Sequence, residues 1–234
     1  MKFRCLVVST LTLALFASAA PVSAQLFPRP DGARRPLFAR AASAQPVEKP
    51  TAEQAQKLLE EGNARFVSQR RATPNSGLSR ARETAQNGQH PFVTILSCSD
   101  SRVPLEVVFD RGIGDIFVIR VAGNVTGDSE TGSIEYGVEH VGTPLLVVLG
   151  HTKCGAVTAA ATHAHTEGHI TGLVNRIQPA VEKAKQDNPE ITEEALIKKA
   201  TVVNVWNGIE KLFVHSEIIR HLVGEHKLTV VGAI

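Results

Sequence analysis

Cys98, His151 and Cys154 are the side chains of this sequence best suited to carry chemistry, and they stand in two short strings, Cys98-Ser99-Asp100-Ser101-Arg102 and His151-Thr152-Lys153-Cys154. Two thiols and one imidazole make a ligand set suited to zinc, a borderline-soft ion. Such a set leaves a fourth position for water, substrate or another side chain, a pattern catalytic in type rather than structural. An isolated cysteine pair reads first as buried thiols or, in an exported protein, as a disulfide. His151, three residues before Cys154, turns the reading towards Zn2+. Asp100 and Arg102, two residues apart, face the same way in an extended turn. They form either an exposed ion pair of little worth or a bidentate clamp beside the metal. In the second reading Arg102 keeps Asp100 ionised and in place, and Asp100 orients the metal's water. If the pair breaks, Asp100 becomes a fourth ligand in a closed state.

Both strings follow apolar runs, residues 92–96 and 145–149, which read as strands buried on both faces. Such strands belong to parallel sheets, whose ligands collect at the carboxyl ends. Further strands are expected at 116–121 and 228–231. Helices are expected near 105–109, 129–141, 155–161, 171–184 and 193–223. Strand and helix alternate, so the fold class is α/β: a parallel-core β-sheet flanked by helices, with an N-terminal helical arm. The arm begins at Thr51, which forms a capping box with Gln54, and Ala55, Leu58, Leu59 and Phe66 mark its apolar face. The last strand stops with the chain at Ile234. That exposed edge suggests a truncated C-terminus or pairing with a second chain.

Lys2 and Arg4, an apolar run from Cys5 to Ala17 and the small residues Val22-Ser23-Ala24 form the pattern of a cleavable signal peptide over 1–24, which implies a periplasmic or secreted protein. The apolar run is short for a membrane span, so no membrane association is expected after cleavage. Residues 25–50, rich in Pro, Ala and Arg without periodicity, read as a disordered leader. The catalytic domain occupies 51–234, about 185 residues, enough for one core. Removing Lys2 and Arg4 takes 25 basic residues to 23, against 23 acidic ones. A near-neutral chain with few aromatics gives no reason to expect nucleic acid as a partner.

Cys-x-Asp-x-Arg followed by His-x-x-Cys resembles the β-class carbonic anhydrases, and the likeness runs from about Glu61 to Ile234. It implies reversible hydration of CO2 to bicarbonate and a proton at one Zn2+ per subunit, held by Cys98, His151 and Cys154 beside the Asp100–Arg102 dyad. It also implies that Gln89, Val103, Phe117, Tyr136 and Gly155 line the substrate pocket. Without the resemblance, Gln89 is a polar loop residue, and Phe117 and Tyr136 belong to the core. Family members form a homodimer or tetramer whose pockets draw residues from both subunits, with the arm around 58–66 embracing the partner. Two departures are visible. Arg120-Val121-Ala122-Gly123-Asn124 differs from the family's usual string, which suggests a more open pocket wall. Ile95 stands where members with an inhibitory bicarbonate pocket carry tryptophan, although Arg120 matches that pocket's arginine. His90 is a candidate proton shuttle.

Rival readings are a carbonyl sulfide or carbon disulfide hydrolase on the same zinc site, a redox module using Cys98 and Cys154, and a metal-binding protein without catalysis. His163, His165 and His169 would suit an exposed second metal site in that last case, although a solvated loop is their simpler reading.

Overall fold

The computed structural model describes residues 49–234. The expected signal peptide, and the leader up to residue 48, lie outside the described residues.

Four strands form one sheet: β1 (Val93–Ser97), β2 (Ile116–Arg120), β3 (Leu145–Leu149) and β4 (Thr229–Ala233). Their order is β2-β1-β3-β4, and every neighbouring pair is parallel. The chain leaves β1 to build β2 on one side and then returns to build β3 on the other. The switch point of the topology therefore falls between β1 and β3, where an open α/β sheet forms its ligand crevice. Ser97 lies beside Leu149 in register, so the residues that follow β1 and β3 emerge side by side.

Both central strands are buried along their whole length, because helices cover both faces. Leu96, Leu146 and Val148 face Val205, Ile209 and Leu212 of α8 (Glu193–His215) and Ile219 of α9 (Glu217–Gly224). Val93, Ile95, Leu145 and Val147 face Ala55 and Leu59 of α1 (Ala52–Val67) and Leu105 of α3 (Leu105–Val108). A third cluster joins Cys98 and Cys154 to Val157 of α5 (Gly155–Ala161), Ile177, Val181 of α7 (Gln178–Asp187), and Leu196 and Ala200 of α8. The end of the sheet that carries Cys98 and Cys154 is thus backed by apolar packing.

The helical arm starts as expected. Thr51 accepts from the Gln54 N–H, and the Gln54 side chain accepts from the Thr51 N–H. Its buried face, Ala55, Leu59 and Gly62, packs on the chain's own core. At Gly62 a Cβ would lie 1.8 Å from the Phe109 carbonyl oxygen.

Three expected helices differ. The 129–141 segment is α4 (Asp128–Glu135) widening into a π turn (Tyr136–His140). There Gly137 comes so close to the sheet that a Cβ would meet Thr94 Oγ1 at 2.5 Å. The 171–184 segment is two helices, α6 (His169–Asn175) and α7. Pro179 sits in the first turn of α7, where its missing N–H costs nothing but cannot continue a preceding helix. The 193–223 segment breaks at extended Ser216, whose Oγ accepts from the Ile219 N–H and donates to Glu135 Oε1. Not among the expected helices is α2 (Leu78–Asn87), a strongly polar segment none of whose residues is buried. Among the described residues, no helix is long and apolar enough to cross a membrane.

Candidate metal centre

Cys98 is the first residue after β1. His151 comes two residues after β3, and Cys154 caps the start of α5. The turn between them passes through Lys153 with φ +55°, a left-handed kink that turns His151 and Cys154 towards the end of β1. The three donor atoms lie within 4.8 Å of one another, all on buried residues. Among the described residues, this is the one grouping of three or more such donors close enough to hold an ion. His163, His165 and His169 do not gather: His165 pairs with Glu167 at 3.4 Å, and His163 lies 3.5 Å from the Lys185 ammonium. Cys98 and Cys154 are both free thiols rather than a disulfide.

The surroundings of this set fit a soft divalent cation. His151 Nδ1 lies 3.0 Å from the Thr152 carbonyl oxygen. That acceptor fixes the proton on Nδ1 and leaves the Nε2 lone pair free. Nε2 is buried and has no hydrogen-bond partner, an arrangement that costs free energy unless something is ligated there. Hydrogen bonding from Cys154 and from the Gly123 N–H pushes the Cys98 thiol down, against the opposing effect of burial. The proximity of Cys98, followed by burial, pushes the Cys154 thiol up. Two thiolates side by side in a buried site would repel each other, so a cation between them is what would let both serve as thiolates. Gly123 N–H donates to Cys98 Sγ at 3.2 Å.

Asp100 faces this set from the loop after β1. Arg102 grips its carboxylate with Nε and a terminal nitrogen at 2.9 and 2.7 Å, and the Arg102 N–H adds a third bond at 2.9 Å. These bonds hold the Asp100 carboxyl well below the usual carboxylate range. Asp100 Oδ2 is 3.9 Å from His151 Nε2, beside the ligand set but outside it. The same guanidinium donates to the Lys153 carbonyl at 2.9 Å, so one side chain ties the loop after β1 to the loop after β3. Arg120, at the end of β2, donates to the carbonyls of Cys98 and Asp100 at 2.9 and 2.6 Å. Its resemblance to a pocket arginine was visible in sequence, whereas this role as a brace for the loop was not.

The residues expected to line a pocket fall into two groups. Val103 follows the dyad, its N–H bonded to the Asp100 carbonyl, and Gly155 follows Cys154 at the exposed start of α5. Gln89 lies instead in the exposed loop before β1, at the opposite end of the sheet. Phe117 is in register with Thr94, four residues before Cys98, or about 13 Å along a strand. Its ring stacks on Tyr136 at 5.8 Å, and Tyr136 stacks on His140 at 4.7 Å. The fold therefore does not bring Gln89, Phe117 and Tyr136 of one chain to that chain's own Cys98, His151 and Cys154. Phe117 and Arg120 line an open groove of about 340 Å³ along the edge strand β2, with Ser129, Glu130 and Ser133 on its far wall.

The sequence model of the family described as "Carbonic anhydrase" matches residues 93–234. Carbonic anhydrase 2 of Mycobacterium tuberculosis is 36% identical over 180 residues, 75% of this chain and 84% of that protein. A carbonic anhydrase of Mycolicibacterium smegmatis is 41% identical over 129 residues, 53% of this chain and 62% of that protein. Among solved structures, a tetrameric β-carbonic anhydrase from Sordaria macrospora superposes with a TM-score of 0.60 at 25% identity, over 77% of this chain and 90% of that one.

Proposed function

This chain belongs to the β-class carbonic anhydrase family, and on that premise we propose that it catalyses the reversible hydration of CO2 to bicarbonate and a proton. One Zn2+ per subunit is held by Cys98, His151 and Cys154. The observation that carries the reading is the buried His151 Nε2, without a partner and with its lone pair directed by the Nδ1 bond, beside two buried thiols. Zinc in such a set supplies Lewis acidity that makes water a nucleophile near neutral pH.

The chain's own residues do the rest. Asp100 stays ionised because Arg102 holds it, and it would accept a hydrogen bond from the attacking water so that a lone pair points at CO2. Arg102 fixes the direction of that acceptor and, through Lys153, the spacing of the two ligand loops. Val103 and Gly155 border the reacting centre on the same protomer.

Gln89, Phe117 and Tyr136 reach a metal centre only if a second subunit supplies them, so the working unit is a homodimer, or a tetramer built of dimers. The open groove along β2 and the tetrameric state named for the Sordaria proteins support this reading. The charged and apolar N-terminal pattern supports export to the periplasm or beyond.

Stopped-flow CO2 hydration by the purified protein tests the proposal. The expected result is fast proton release that an added zinc chelator abolishes. Turnover of carbonyl sulfide or carbon disulfide without CO2 hydration would replace it with the hydrolase reading.

A further inference from the structure

We propose that Asn204 of α8 is a positioning residue for the metal ligand Cys98 and acts through the backbone of Gly123; this rests on the reading of Cys98, His151 and Cys154 as a zinc site. The buried face of α8 is apolar except for Thr201 and Asn204. Thr201 satisfies its hydroxyl on its own helix, at the Ile197 carbonyl. Asn204, only 4% exposed, instead sends its amide out of the helix to the Gly123 carbonyl at 2.8 Å. The N–H of the same glycine donates to Cys98 Sγ at 3.2 Å.

Glycine is the residue least able to hold an orientation by itself. Gly123 sits at φ +75°, ψ +15° within the short turn Ala122–Asn124. With its carbonyl pinned by Asn204, the turn keeps its N–H aimed at the sulfur. Without the pin, the turn keeps only the bond from the Asn124 N–H to the Val121 carbonyl at 3.0 Å, and the Gly123 N–H is held less firmly on the sulfur. A hydrogen bond to a thiolate withdraws electron density from it, so the sulfur donates less charge to a bound metal. The metal's water then becomes more acidic. Asn204 therefore acts on the donor strength of Cys98 through Gly123, although it touches neither metal nor substrate.

The test loads the full protein with Co2+ and compares wild type, Asn204→Leu and Leu212→Ala. Leu212 is fully buried on the same helix but lies in the cluster across the sheet from α1, apart from the ligands. In Asn204→Leu the thiolate-to-cobalt charge-transfer band should move to longer wavelength. With zinc, kcat at neutral pH should fall about tenfold and recover at alkaline pH as the activity midpoint moves up. Leu212→Ala should lower Tm but leave the band and the midpoint in place. Asn204→Ser, small enough for the helix but too short to reach the carbonyl, makes the same test if the leucine variant does not fold. A wild-type band that both Asn204 variants leave unmoved, with an unmoved midpoint, overturns the role of Asn204 alone. A wild-type protein without any thiolate–cobalt band overturns the metal-centre reading itself, and this proposal with it.

Discussion

Gly123→Ala places the coupling between packing and the metal centre under direct test. The new Cβ would lie 2.6 Å from Ile177 Cδ1 and 3.1 Å from Ala156 Cβ. Carbon atoms rest at about 3.5–4.0 Å, so the Ile177 contact has to open by about 1 Å. Ile177 is fully buried in the cluster that holds Cys98 and Cys154 and cannot swing into solvent. Overpacking of this kind costs about 1–3 kcal/mol. Holding alanine at φ +75° adds about 1–2 kcal/mol. The sum, about 2–5 kcal/mol, should appear in urea unfolding at fixed zinc concentration as a lower midpoint with an unchanged slope. The strain is relieved by moving the turn, which carries the Gly123 N–H off Cys98 Sγ, so activity should fall as well. A loss below about 1 kcal/mol would refute the close fit of this turn against Ile177.

Two further outcomes are expected. Arg102→Ala should retain metal at the wild-type level while activity falls at least about 10²-fold, because Asp100 loses its clamp and is free to turn onto the metal; metal analysis beside CO2 hydration checks this. Asp110→Asn should cost about 2–3 kcal/mol. Asp110 is fully buried and accepts from Arg65 at 2.6 Å and from the N–H groups of Ala72 and Thr73 at 2.9 and 2.8 Å. Burial alone would raise its pKa, but these bonds hold it down to about 2, against an ordinary 3.8. A depressed carboxylate stabilises the fold above its unfolded value, and that contribution disappears as pH falls from about 4 through about 2. Urea titrations across that range should show a loss in the wild type that is smaller in Asp110→Asn.

The sequence made the site legible wherever chemistry and strand ends coincide. Cys98, Asp100, Arg102, His151 and Cys154 follow two apolar runs, and parallel topology sets those ends side by side. The strand at 145–149 was readable because burial on both faces removes every polar residue from it, whereas the strand at 116–121 showed through its run of β-branched and aromatic residues although this edge strand is only partly buried. The helix boundaries at Pro179 and Ser216 were missed because the apolar period continues across both breaks, although a proline and a capping serine stood at the points of interruption. α2 was passed over because Leu78 is its one large apolar residue and none of its residues is buried. The contact from Asn204 to Gly123 spans 81 residues, and no local pattern announces it. A lone asparagine among the apolar positions of α8 was its single trace. The pocket group divided for a different reason: residue types matched to a family do not state which end of the sheet carries them, and Gln89 and Phe117 stand far from the end of β1 that carries Cys98.

The central claim, that Cys98, His151 and Cys154 together bind the zinc on which CO2 hydration depends, is tested most directly by Cys154→Ser. Zinc per subunit and CO2 hydration are measured on the same purified sample. One zinc per wild-type subunit is expected, with metal and activity lost together in the variant, since a hydroxyl is a poor substitute for a thiolate donor. Full zinc occupancy with wild-type turnover in Cys154→Ser would contradict it.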